Sequence, residues 1–300
     1  MLNRLLAGQD IHGQEVDRKR AMAGLIVKSS IEVTTLDHDK IQQARELLPK
    51  NMNVYLPSLP NQTLMSKLGC VATLRDAGFE PVPHLAARRI PTRQELESFL
   101  KQAVQQHQVD HILLVGGDVP EAAGPYSEAA MILKEGILAE NGIRLVGLPA
   151  FPEGHPRVSS AVMQAALDEK IKLAREAGHE VHLVTQFSFA PDRVTTYCEM
   201  LSHRYPGMPV YVGLSGPTNP AQLLRYAKLC GVTSSLRAVT NLGLKTTKLL
   251  SNTDPDSHLA VIAQHQACNP HSNIAGVHIF SFGGFIGSAK WMHRVSRYPD

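Results

Sequence analysis

The chain is poor in the features that mark several large classes of protein. Of its 300 residues only four are cysteine, at 70, 198, 230 and 268. They lie too far apart for a CxxC or zinc-knuckle pattern and are too few for a disulfide scaffold, so reduced thiols in the cytosol are expected. No stretch reaches the ~18 uninterrupted apolar residues of a membrane span. Arg4, Asp10, Glu15, Asp17 and the basic run 18–20 break up the opening segment, which argues against a secretory signal. Charge of one sign is also missing: 30 Lys and Arg face 27 Asp and Glu, a net +3 with no basic block, so nothing prepares a nucleic-acid groove and small-molecule ligands are expected. GxGxxG, GKS/T, HExxH and GxSxG are all absent, which removes the usual signatures of Rossmann, P-loop, zinc-protease and serine-hydrolase chemistry.

What remains is a composition of 43% hydrophobic and 19% charged residues, that of a soluble globular chain. Eight short runs rich in Val, Ile and Leu recur along it: 25–33, 53–59, 81–86, 111–115, 143–148, 181–187, 209–214 and 277–282. Helix-length segments separate them, near 38–48, 62–77, 93–108, 126–140, 159–177, 192–204 and 219–229, as parallel crossover connections require. Runs such as HILLV and IRLVGL are apolar throughout, the mark of strands buried on both faces. Eight units without a phosphate loop after the first strand favour a closed (β/α)8 TIM barrel over an open doubly wound sheet. The reading is one barrel domain over 24–300 behind an N-terminal helical extension, 1–23, packed across one end. Residues 231–275 are expected to hold two helices.

In such a barrel, chemistry belongs at the C-terminal ends of the strands. Glu32, in SSIEVTT, sits between Ile31 and Val33, so its carboxyl faces the barrel mouth or an apolar wall. Loss of water favours the neutral acid, making Glu32 a candidate general acid, a role worth ~10²- to 10⁴-fold in rate; an ion pair with a nearby Arg or Lys is the other reading. Asp118 follows Gly116 and Gly117, which let a planar ligand approach the backbone, and could accept paired donors from a heterocycle or form an N-cap or Asx turn. His84 and His155, each beside a proline, suit hydrogen bonding in fixed loops better than metal binding, and a structural role is equally open. The glycines of FSFGGFIGSAK suit either a phosphate cradle or a tight turn.

These strand-end segments resemble the methylenetetrahydrofolate reductase family. SSIEV is similar to S-F-E-F, PHLAARR to P-H-L-T-C, LLVGGDVP to L-R-G-D-x-P, FPEGHP to Y-P-E-x-H-P, VTQFSF to I-T-Q-F-F-F, and GVHIFSF to F-H-F-Y-T-L, in the same order from about residue 29 to 282. The resemblance implies a (β/α)8 barrel that reduces 5,10-methylenetetrahydrofolate to 5-methyltetrahydrofolate with NADH or NADPH. It makes Glu32 the general acid and Asp118 the carboxylate on the pterin and near the flavin. Gln186, Gln222 and Tyr226 become folate or nicotinamide contacts, and His84, Gly117 and His155 part of the flavin site. The same resemblance implies FAD, yet three positions where the family holds it by side chains read Gly116, Leu173 and Ala174, and the arginine after the last strand reads Gly284. Both a flavin route and direct hydride transfer therefore stand. So do two other classes: a folate-dependent methyltransferase or demethylase, and a folate-binding barrel without catalysis. Homo-oligomerisation also stays open, because the apolar outer faces of the helices serve barrel packing first.

Overall fold

The computed structural model describes residues 2–60, 62–155, 158–218, 220–232 and 255–298. Helix α1 (Leu2–Val27) leads into β1 (Ser30–Glu32), α2 (Ile41–Ala44), β2 (Asn53–Leu56), α3 (Leu68–Asp76) and β3 (Glu80–Ala86). Next come α4 (Arg93–His107), β4 (His111–Val115), α5 (Ala129–Lys134), α6 (Ile137–Glu140), β5 (Leu145–Ala150), α7 (Ser160–Glu176) and β6 (Glu180–Thr185). The chain continues through α8 (Pro191–Arg204), β7 (Val210–Ser215), α9 (Pro220–Leu229), α10 (Asp256–Cys268), β8 (Ile274–Phe280) and α11 (Phe285–Val295). Each strand pairs in parallel with the next and β8 pairs with β1, closing the eight-stranded barrel. Local chemistry explains several helix starts. Thr92 and Glu95 open α4 as a T-x-x-E pair, with the Thr92 hydroxyl accepting from the Glu95 amide at 3.0 Å, and Pro191 occupies the first turn of α8, where no amide is needed.

Strand ends differ from the sequence expectation for identifiable reasons. Leu25 and Ile26 are apolar because they face the core from the last turns of α1, not because β1 begins there. The second strand stops at Leu56, just before Pro57, which has no amide to extend the ladder. The last starts three residues earlier and stops at Phe280, since Phe282 takes a left-handed conformation, φ 45°. The helix expected over 126–140 is split at Gly136 (φ 70°), and the one expected near 38–48 is largely a 3-10 turn, Thr35–Lys40, followed by the short α2. Of the two helices expected within 231–275, α10 is the second; the first lies outside the described residues.

Most of the apolar core lies between the strands and the surrounding helices, where residues such as Val54, Ile112, Val146, Leu183, Val212 and Val277 point outward from the barrel. Met22, Leu25 and Ile26 of α1 join it. The barrel interior is different. Tyr55, Val82, Leu113 and Val184 pack there beside the imidazoles of His84, His111, His182 and His278. Space for these rings comes from glycine: a Cβ on Gly147 would lie 2.7 Å from His182 Nε2 and 2.8 Å from Leu113 Cδ1. A polar interior in place of the usual layers of branched aliphatics positions the site.

Candidate active site

Glu32 ends β1 with its side chain turned into the barrel and only 8% of the residue exposed. Across the β1–β8 seam, His278 stands opposite Ser30. Its Nδ1 lies 2.8 Å from Ser30 Oγ and its Nε2 3.4 Å from Glu32 Oε1. One imidazole thus joins two side chains spaced i, i+2 on the same strand. When Glu32 is a carboxylate, Nε2–H donates to it and Nδ1 accepts from the serine hydroxyl. When Glu32 is protonated both bonds reverse, so the unit can pass a proton in either direction.

His84 lies on the other side, its Nε2 3.8 Å from Glu32 Oε1, buried and without a hydrogen-bond partner. Burial, then the charge of Lys67, then His278 hold its pKa well below the ordinary histidine value, so it is a neutral ring. The sequence reading offered Glu32 an Arg or Lys partner; its charged-type neighbours among the described residues are these two imidazoles instead. Below them, Tyr55 Oη is 3.1 Å and His111 Nε2 is 3.4 Å from His182 Nε2. Burial, aided by His278, lowers the His182 pKa to about 3, and burial followed by the charges of His182 and Arg144 depresses that of His111.

Asp118 follows Gly117, whose φ of 98° suits glycine, and its side chain is 75% exposed. Neither an N-cap nor an Asx turn engages it in the structure. Its Oδ1 accepts from Arg89 Nε at 2.9 Å and pairs with Nη2 at 2.8 Å, and α5 begins only at Ala129. The preceding arginine fixes the loop: Arg88 donates to the carbonyls of Val119 (2.8 Å), Pro120 and Ser127 (2.9 Å).

Gln186 follows β6, its Oε1 accepting from the Phe187 amide at 3.1 Å. Its side chain also bonds the thiol of Cys230, whose pKa is pushed up to about 12 by burial, the charge of Glu32 and, more weakly, that of Asp118. Glu32, Asp118 and Gln186 come from β1 and from the loops after β4 and β6, all at the C-terminal ends of their strands. Tyr226 on α9 stacks on Phe282 with centroids 4.6 Å apart and planes at 19°; Phe280 and Phe187 extend the aromatic wall. Gln222, one turn earlier on α9, receives the Thr218 hydroxyl at 3.5 Å and lies 3.3 Å from where a Gly283 Cβ would stand. His155 sits apart, in the loop after β5, edge-on to Phe151 at 6.3 Å.

Sequence reasoning missed His278, Ser30, Lys67, Cys230 and Phe282. The available signal for His278 was alternation: in Ile274–Phe280 it shares the inward face with Gly276 and Phe280, where an apolar residue is the norm. Among the described residues no group of three or more His, Cys, Asp or Glu could hold a metal ion, and no helix is long and apolar enough to cross a membrane.

A closed parallel barrel with a buried carboxyl, imidazoles, an amide and an aromatic wall at its mouth defines a (β/α)8 protein with a candidate site at the C-terminal ends of its strands. Its sequence matches that of methylenetetrahydrofolate reductases over residues 32–246, more than half of the chain, and the protein belongs to this family. The same fold occurs in a solved protein from Clostridium thermocellum, described as uncharacterized and as binding two copies of 5-methyl-5,6,7,8-tetrahydrofolic acid. The two share 14% identity at a TM-score of 0.60 over 89% of this chain and 94% of that one.

The fold family implies FAD, and the residues present do not fit its diphosphate. Ala174 is fully buried and Leu173 packs on the core, so that part of α7 points inward and neither position faces a ligand, contrary to the alignment drawn from sequence. Gly116 offers no side chain, and a Cβ on Gly284 would stand 2.7 Å from the Pro217 carbonyl oxygen. A groove of about 370 Å³ between β5, α7 and α8 is walled by Phe151, Met163, Tyr197 and Met200, with Lys170 the one cation lining it among the described residues.

Proposed function

We propose that the protein reduces the one-carbon bridge of 5,10-methylenetetrahydrofolate to a 5-methyl group, with hydride passing directly from NADH or NADPH. The observation that carries this reading is the setting of Glu32: a buried carboxyl at the barrel mouth, 3.4 Å from an imidazole that is itself 2.8 Å from a serine hydroxyl. Glu32 gives its proton to N10 of the folate, the bond between N10 and the bridging carbon breaks, and a cationic iminium remains at N5. Hydride from C4 of the dihydronicotinamide adds to that carbon, leaving a methyl group and oxidised nucleotide. Glu32, now a carboxylate, is reprotonated through His278 and Ser30. Asp118 receives the amino and ring N–H groups of the pterin, and Gln186 orients the same ring. Tyr226 and Phe282 supply a face for a planar ring, and His84, held neutral, lines the pocket without taking the proton.

Purified protein should oxidise NADH or NADPH when methylenetetrahydrofolate is added, with no dependence on added FAD and no flavin band in its visible spectrum. Inactivity with both nucleotides, with and without FAD, defeats the reading. Methyl transfer to an acceptor without nucleotide oxidation selects the methyltransferase instead. Glu32→Gln should lower turnover by about 10²-fold or more while folate binding changes little; unaltered turnover removes Glu32 from the acid role.

A further inference from the structure

The cations that the family resemblance leads one to expect are absent, but two others stand at the β3 side of the mouth. Lys67 ends a 3-10 turn with 1% of its surface exposed. Its ammonium donates to Ser58 Oγ and to the His84 carbonyl, both at 2.6 Å. The His84 carbonyl also accepts from the Ser58 hydroxyl at 3.1 Å, so lysine, serine and carbonyl form one closed set of hydrogen bonds. Both acceptors are neutral, and no carboxylate forms an ion pair with Lys67 among the described residues. A buried cation without a counter-ion is costly, and burial, followed by repulsion from Arg89, draws Lys67 down to about 7.

Arg89, with 17% of its side chain exposed, is that second cation. Its Nε donates to Asp118 Oδ1 and its Nη2 stands 2.8 Å from the same oxygen, while its Nη1 makes no hydrogen bond among the described residues. Arg88 is unavailable, committed to three backbone carbonyls. Of the two, only Arg89 faces a carboxylate, that of Asp118, and Lys67 has no counter-ion of its own among the described residues. Space adjoins this side of the mouth: a Cβ on Gly116, two residues before Asp118, would meet no atom within 4 Å.

We infer that Arg89, with Lys67 behind it, forms a subsite for an anionic oxygen group of the ligand at the β3–β4 edge of the mouth. The free Nη1 edge of the guanidinium offers donors to a phosphate or carboxylate on the side away from Asp118. Two parts of the proposed ligands carry such a group: the diphosphate of the nicotinamide nucleotide and the glutamate tail of the folate. The inference rests on the mouth being the ligand site and not on the reaction performed there.

Calorimetric titration of the full chain with inorganic pyrophosphate and, separately, with p-aminobenzoylglutamate tests it without turnover, so a failed reductase assay would leave the result standing. The wild type should bind one of the probes, more weakly as salt is raised, and Arg89→Gln should weaken that probe by about tenfold or more. Arg89→Lys, which keeps the charge and loses the fork, should fall between them. Sensitivity to pyrophosphate alone assigns the subsite to the nucleotide, and sensitivity to p-aminobenzoylglutamate alone assigns it to the folate. Failure of the wild type to bind either probe, or equal binding by wild type and Arg89→Gln, overturns the proposal.

Discussion

Lowering the pH from 7 to 5 should remove a large part of the folding free energy, because the barrel interior stores imidazoles that cannot take up protons. His182 is lowered to about 3, and His84 and His111 lie well below the ordinary value, in each case chiefly through burial. The sign follows from linkage: the unfolded chain, with histidines near 6.5, binds protons that the native state refuses, so stability is complete above that value and falls as pH drops through it. The magnitude can be worked out for His182, and it depends little on how far that ring is depressed. For any folded value below about 4, the cost at pH 5 is set by the unfolded state alone and comes to about 2 kcal/mol per histidine. His182 alone gives about 2 kcal/mol by this measure, and His84 and His111 add to it in the same direction, against a typical total of about 5–15 kcal/mol for a domain. Carboxylates do not contaminate this window; Asp168, held down to about 2 by Arg204, loses its contribution only as pH falls below the ordinary aspartate range. Urea unfolding at pH 7 and pH 5 measures the effect. A midpoint that is the same at both values would refute the argument, since it would mean that the rings accept protons in place.

Other substitutions test separate links. Gly147→Ala should destabilise the fold by about 1–3 kcal/mol in urea unfolding, because the new methyl would stand 2.7 Å from His182 Nε2; no change would mean that the ring has room to retreat. His278→Gln should reduce turnover by about tenfold or more, though less than Glu32→Gln, and leave the folate KM nearly unchanged; a rise in KM alone would make His278 a binding group. Asp118→Asn should weaken folate binding by about 1.5–3 kcal/mol with a smaller effect on the step after binding, measured as a KM against kcat split.

The barrel was legible in the sequence because eight strands buried on both faces leave eight apolar runs, each set apart from the next by a segment long enough for a crossover. Their ends were not. Leu25–Val27 read as strand since a short apolar run looks alike on a buried helix, and only tertiary packing of α1 decides between them. At the site, Glu32 could be singled out as a lone acid within an apolar strand. Its histidine partner lies 246 residues away, a distance over which no local spacing operates. Asp118 was equally visible, but its pairing with Arg89 depends on two loops meeting at the barrel rim. The left-handed Phe282 had no signal at all, because glycine is the residue that announces such a conformation and it comes one position later, at Gly283.

Aliphatic layers would make a sturdier interior than imidazoles packed around glycine, and the setting of Glu32 gives a reason for the difference. A carboxyl that donates a proton needs hydrogen-bonding neighbours at depth, yet a lysine or arginine beside it would hold it ionised. Imidazoles meet that need: His278 bonds Glu32 and Ser30, and His84, held neutral, adds no charge. Lys67 fits the same logic: its ammonium is turned toward the His84 carbonyl and Ser58, and its field helps keep the His84 ring neutral. Acid sensitivity is then a consequence of the site's design, since His84, which adds no charge beside Glu32, is among the rings the native barrel forbids to charge.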